Sequence, residues 1–328
     1  LKATALGKSN EPVFLCSDMP MDDMAKDRDF TKKYMFGLAV LLKKGLHLNV
    51  VHNLDRPFHE LMLGLEGWIP LYMTGQITPC YLKGVQNNVY CHFLNVSGSA
   101  ALSGECIAGA HERGRYELTK GGEALRYYQE RADAIRKKAL PLMDIYREKQ
   151  AAALHAFQLA DAQKPGPRRR VLSAPPLGTL REETLRAILS SHGLPAAEQQ
   201  HLLEHASAPR THMEQILAHS SITDSFPTLT REEFARCTPA LPLSTLFFPK
   251  DIRYTYEEYC FHMEQTNEYA RAHPGYSLRP CDTDFHNISI SVHEGRWAMI
   301  SKSNAPAIHF IIRYSKLRSA IETFAGET

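Results

Sequence analysis

The order strand, helix, glycine, strand near the start of the chain constrains its fold more than any other feature. Val13-Phe-Leu-Cys-Ser17 is an apolar run closed by Asp18 and Pro20, the length of a buried strand. From Phe30 to Lys44 a helical repeat places Tyr34, Leu38, Leu41 and Leu42 on one face, and Gly45 follows two lysines as a stop. Leu46-His-Leu-Asn-Val-Val51 then ends in β-branched residues, which favour strands. A helix that joins two strands of one sheet carries the chain back to lie parallel to its start. The spacing therefore predicts a parallel strand pair within a mixed α/β (α+β) fold. Directly after the second strand comes the densest polar cluster in the chain, His52-Asn53-Leu54-Asp55-Arg56-Pro57. Ligands of open α/β sheets collect at such carboxyl ends.

Further along, Phe58–Trp68 reads as a helix, and 78–82 and 89–96 as strands. A long helical stretch, Glu123–Ala156, is expected to end near Ala139 and restart at Pro141, because proline suits a first helical turn and not an interior. Residues 163–178 are rich in Pro, Gly and Arg, so Arg168-Arg169-Arg170 reads as part of a solvated linker. Short amphipathic helices follow over 179–217, divided at Gly193-Leu-Pro195 and Ala208-Pro209. Thr255 and Glu258 have capping-box spacing at the head of a helix over Tyr254–Ala272. Ile288–Val292, Trp297–Ile300 and Ile308–Ile312 alternate as strands, with a last helix over Ser315–Phe324. The expected domains are an α/β first half (1–160), a linker (161–178), a helical insertion (179–250) and a second α/β half (251–328) packed on the first.

With 328 residues the chain has room for two domains, and 44% apolar with 23% charged residues marks it as globular rather than disordered. A net charge of +2 gives no general attraction to nucleic acid or membrane. Seven scattered cysteines without a Cys-x-x-Cys pair point to reduced thiols and a cytoplasmic location. No apolar run reaches the roughly 20 residues that a membrane span needs. The sequence starts at Leu1 in mid-pattern, which suggests that further residues precede it in the natural protein.

In the loop after the second strand, His52, Asn53, Asp55 and Arg56 could together hold a small polar or anionic ligand, Arg56 gripping a phosphate or carboxylate with two parallel hydrogen bonds. Equally, Asp55 could cap the next helix while Arg56 pairs with Glu60. Trp68 and Tyr72, inside the glycine-bracketed run 67–75, could wall a pocket or simply pack a helix end on the core. Sixteen histidines offer no pair at metal spacing with a third ligand, and neither a nucleophile elbow nor a Walker loop is present. No metal, cofactor or catalytic residue is therefore assigned. One partial motif remains. Phospholipase D-like enzymes repeat His-x-Lys-x4-Asp in two halves of the chain. Here His92-Phe-Leu94 and His286-Asn-Ile288 keep both histidines, aliphatic residues replace both lysines, and Ser99 and His293 stand in the aspartate places. The chain thus resembles a duplicated, degenerate phospholipase D-like fold whose covalent phosphohistidine chemistry lacks its supporting cation.

Four blocks, Lys43–Asn53, Trp68–Gly75 with Pro79 and Tyr81, Leu140–Tyr146, and Trp297–Lys302 with His309-Phe310, resemble in order the large C-terminal region of helix-turn-helix transcriptional regulators of Firmicutes. The resemblance implies a regulatory region whose DNA contact lies in a separate N-terminal domain, and Lys302 joins the candidate ligand-binding residues. The expected function is ligand sensing or oligomerisation as a homodimer, without catalysis. Alternatives are a divergent phosphodiesterase on the phospholipase D-like scaffold, using His92 and His286, and an interaction scaffold with 179–220 as a helical docking module.

Overall fold

The computed structural model describes residues 1–19, 28–54, 68, 71–72, 74–83, 89–281 and 287–327. They form a mixed α+β structure in two compact units, Leu1–Met143 and Asp144–Thr328.

The first unit runs α1 (Lys2–Leu6), β1 (Val13–Ser17), α2 (Arg28–Lys43), β2 (Leu48–His52), β3 (Ile77–Tyr81), β4 (Tyr90–Val96), β5 (Ala101–Ile107), β6 (Arg115–Thr119), α3 (Gly122–Lys138) and β7 (Leu140–Pro141). Its sheet has the order β6-β5-β4-β1-β2-β3-β7. Strands β1 and β2 are parallel, as the strand–helix–glycine–strand pattern predicts; β3 joins β2 in parallel as well, and β4 turns back antiparallel to β1. Gly45 ends the helical run at φ +87°, a conformation open to glycine, with its amide on the Leu42 carbonyl and that of Leu46 on Leu41. One sheet face packs Phe14, Leu94, Val96 and Ala101 against Leu125 and Ala132 of α3. On the other side of the pleat Val13, Leu15, Leu48, Val50 and Ile77 are buried, as are Leu38, Leu41 and Leu42 of α2.

At the boundary stands β8 (Met143–Tyr146), followed by α4 (Ala151–Ala162), β9 (Arg168–Val171), α5 (Glu182–Ser191), α6 (Ala196–Leu217), β10 (Ile222–Phe226), α7 (Arg231–Arg236), α8 (Tyr256–Ala272), β11 (Tyr276–Pro280), β12 (Ile288–His293), β13 (Trp297–Lys302), β14 (Ile308–Ile312) and α9 (Ser315–Glu327). The second sheet has the order β11-β10-β9-β12-β13-β14-β8. Helices α4, α6 and α8 supply Ala162, Met213, Ile216 and Tyr269 to a cluster with Ile222 and Tyr276 on one face, and α9 packs on β9, β12 and β13. Thr255 and Glu258 make the predicted capping box: the Glu258 amide donates to Thr255 Oγ1 (3.2 Å) and the Thr255 amide to Glu258 Oε2 (2.8 Å).

Four expectations need correction. Residues 140–146 form strands and helix resumes only at Ala151, so Pro141 starts no helix. Helix α6 runs through Pro209. There Gly178 lies against the helix backbone, and Arg210 donates to the carbonyls of Gly178 (3.0 Å) and Leu180 (3.2 Å), tertiary contacts that override the local break. The stretch read as a solvated linker contains β9, and Arg168 is only 3% exposed. Each arginine of the triplet has a carboxylate: Arg168 meets Asp161 (3.0 Å), Arg169 meets Glu294 (2.6 Å) and Arg170 grips Asp224 through two bonds of 2.6 Å. The region expected to be only a helical insertion also contributes strand β10.

The two sheets repeat one plan. Six strands follow the same order and directions in each, and the registers agree. Val13 pairs with Leu48 and Leu48 with Ile77, while Arg168 pairs with Ile222 and Ile222 with Tyr276. Phe14–Val96, Val96–Ala101 and Ala101–Thr119 find their counterparts in Arg169–Val292, Val292–Ala298 and Ala298–Ile312. A helix follows the sixth strand in both, α3 packing on β4 and β5 as α9 does on β12 and β13.

Candidate functional site

The carboxyl ends of β1 and β2 and the start of β4 open into a cleft of about 710 Å³ on the α3 side of the first sheet. Volumes of several hundred Å³ suit metabolite-sized ligands. Asp18, Asn53, His92 and Ser103 line it from the sheet, and Tyr128 and Arg131 from α3. Across its outer edge Glu105 stands opposite Arg115, and Ser103 opposite Glu117.

Asp18 is fixed to β4 in several ways. Its amide donates to the His92 carbonyl (3.2 Å), its carboxylate accepts from the His92 amide, and its Oδ2 lies 3.3 Å from His92 Nδ1. The imidazole itself stays half exposed, so its orientation is set while solvent and solutes can reach it. Ser103 Oγ donates to Tyr128 Oη (2.9 Å), tying helix to sheet. Cys16 also faces the cleft, but burial, reinforced by Asp18 and opposed by Arg131, pushes its thiol up to about 12. At neutral pH it is a thiol, which is a poor nucleophile.

The pleat divides the residues singled out from the sequence. Strand β2 extends through His52, so His52 and Asn53 turn to opposite sides. Asn53 and His92 come together in the cleft. His52 instead accepts or donates a 2.6 Å hydrogen bond with the Tyr72 hydroxyl and meets Trp68 edge-on at 5.3 Å, while Trp68 stacks on Tyr72 at 6.0 Å. Tyr72 is 1% exposed and anchors this trio, with His52 and Trp68 half-buried beside it, and none of the three lines the cleft. Lys302 lies in the second unit, where its Nζ donates to the carbonyls of Ala305 (3.2 Å) and Pro306 (3.4 Å) and closes a turn. Asp55, Arg56 and His286 lie outside the described residues. The strand registers place Ile288, rather than His286, at the position that His92 takes in the first sheet. Arg131 is nearly silent in the sequence. Its one signal is a cation beside the stripe Leu125, Tyr128, Ala132 and Ile135.

The second unit concentrates its polar groups in the interior. Asp161 accepts from Trp297 Nε1 (2.8 Å), His293 Nδ1 (2.9 Å) and Arg168 (3.0 Å). Burial would raise its carboxyl, but the Trp297 and His293 hydrogen bonds and the Arg168 charge hold it below the ordinary carboxylate range. His293 Nε2 faces the Pro165 carbonyl at 3.1 Å, so both ring nitrogens meet acceptors and the bracket favours a doubly protonated ring. Burial works against that charge and pulls its pKa down, with Asp161 opposing. His212, His262 and His309 are bracketed differently. Each gives Nε2 to a backbone carbonyl, of Gln158, Pro176 and Ser244 respectively, and burial lowers them to about 4, 3 and 4. These rings are neutral; His262 and His309 lie fully in the core, and His212 is half-buried at its edge.

Among the described residues no helix is long and apolar enough to cross a membrane. No protein-family model and no curated protein matches this chain.

Proposed function

We propose that this chain is a ligand-sensing regulatory region of a bacterial transcriptional regulator, and that the first unit's cleft takes a small polar molecule with an anionic group. One observation carries this proposal: the Asp18–His92 pair, Asn53 and Arg131 converge on one cleft at the carboxyl ends of parallel strands. Arg131 offers a planar donor fork to a phosphate or carboxylate, and Asn53 and Ser103 suit the amide or hydroxyl groups of the same molecule. The resemblance to helix-turn-helix regulators supports the role, with DNA contact assigned to a separate N-terminal domain. Ligand binding would act by favouring one of two conformations in proportion to its difference in affinity for them.

Thermal shift against nucleotides, sugar phosphates and carboxylic acids tests the site. A stabilising compound should lose its effect in Arg131→Ala and keep it in His52→Ala, because His52 faces the other side of the sheet. Equal loss in both variants, or in neither, would place the ligand elsewhere. Promoter binding by the full-length protein that ignores every stabilising compound would end the sensing role.

The in-register repeat and the exposed His92 favour a second function, that of a divergent phosphodiesterase on a phospholipase D-like scaffold. It is the weaker of the two because Ile288 occupies the second sheet's matching position. Hydrolysis of bis(p-nitrophenyl) phosphate that disappears in His92→Ala would reverse the ranking.

A further inference from the structure

Opposite the cleft, on the other face of β4 and β5, three sulfur-bearing side chains form one buried cluster, Met19, Cys91 and Cys106. Cys91 stands directly across from Cys106 in the antiparallel register, which sets their Cβ atoms about 4.5–5.5 Å apart. Cys106 Sγ lies 3.6 Å from Met19 Sδ, just past the end of β1. Tyr116 roofs the group. Its ring lies across Gly104, where an added Cβ would come within 2.4 Å of it, so only glycine leaves room for this lid. The Tyr116 hydroxyl donates to the His111 carbonyl (3.2 Å) and lies 3.7 Å from Met19 Sδ.

We propose that Cys91, Cys106 and Met19 form a buried three-sulfur site for Cu(I), independent of the ligand cleft. Thiolate and thioether donors together are a soft set that selects Cu(I). With metal–sulfur bonds of about 2.3 Å, a trigonal site has sulfur–sulfur edges of about 4 Å. The 3.6 Å contact between Cys106 and Met19 is already close to one such edge. Structural zinc instead takes four donors drawn from thiolate, imidazole and carboxylate, and the described residues contain no group of three or more His, Cys, Asp and Glu able to hold a metal. Binding releases the two thiol protons and leaves copper in its +1 state, so no electron is transferred.

The experiment loads the anaerobic, reduced chain with Cu(I) and challenges it with bathocuproine disulfonate. One copper per chain should survive, with an X-ray absorption shell of three sulfurs near 2.3 Å. Cys91→Ser and Cys106→Ser should each weaken retention by more than the roughly 10–100-fold that loss of a supporting partner costs. Met19→Leu should leave a two-sulfur shell, and Cys260→Ser, on an exposed helical position, should change nothing. Absence of retained copper, a wild-type shell with fewer than three sulfurs, or equal retention after Cys106→Ser would overturn the site. The wild-type absorption spectrum decides the matter even where a serine variant fails to fold.

Discussion

The two units share a strand order and a register, yet they put their polar residues on opposite sides of the sheet. On the side facing the closing helix, the first unit has Cys16, His92, Ser103 and Glu117; the registers match these to Val171, Ile288, Ile300 and Phe310 in the second. On the far side the substitution runs the other way, with Val13, Leu15 and Val50 matched by Arg168, Arg170 and Asp224. The same backbone plan therefore holds an open polar cleft in one copy and a buried ion network in the other. Topology fixes which residues are neighbours, and side-chain choice decides which face is wet.

This contrast can be broken most strongly with acid. The chain has two tryptophans, Trp68 in the first unit and Trp297 in the second, so Trp68→Phe and Trp297→Phe variants report on the units separately. His212, His262 and His309 all lie in the second unit with folded pKa values of about 4, 3 and 4. Their unfolded value is about 6.5, so below it the unfolded chain takes up protons that the folded unit refuses. Their contribution is intact above that pH and is lost as pH falls toward the folded values, at up to about 1.4 kcal/mol per pH unit for each ring. Urea unfolding followed by Trp297 should therefore weaken steeply between pH 6.5 and 4, and that followed by Trp68 much less. Equal slopes would deny the second unit its special acid lability.

Next in size is Asp161→Ala, which strands Arg168 in the interior. A loss of about 3–5 kcal/mol is expected in the Trp297 transition, and one below about 1 kcal/mol would mean the network is not what holds that unit. The matched pair Ile300 and Ser103 gives the finest comparison. Ile300→Ala should cost about 3 kcal/mol, because it empties a packed position. Ser103→Ala should cost only about 1 kcal/mol, the hydrogen bond to Tyr128. Similar costs at the two positions would contradict the assignment of one as core and the other as cleft lining.

Features with short-range causes were legible in the sequence. The parallel pair, the strands near the C-terminus and the Thr255–Glu258 cap all follow from residues close together in the chain, although β14 is buried on both faces and does not show the expected alternation of burial. Strand β9 was hidden because three consecutive arginines become tolerable in a sheet only through Asp161, Glu294 and Asp224, which come from three other parts of the chain. At the cleft, the polar character of His52 and Asn53 was visible, but their separation was not. A strand taken to end at Val51 leaves both in one loop, whereas a strand ending at His52 sends them apart.

That single step of alternation bears on how such a protein can change. Point substitutions at Asn53, Ser103 or Arg131 could shift ligand preference while the His52–Trp68–Tyr72 packing stays untouched. Gaining or losing one residue within β2 would exchange the two roles at once, bringing an imidazole into the cleft and an amide against the indole. Descendants of this chain should accordingly diversify by substitution around the cleft and keep the length of β2 constant.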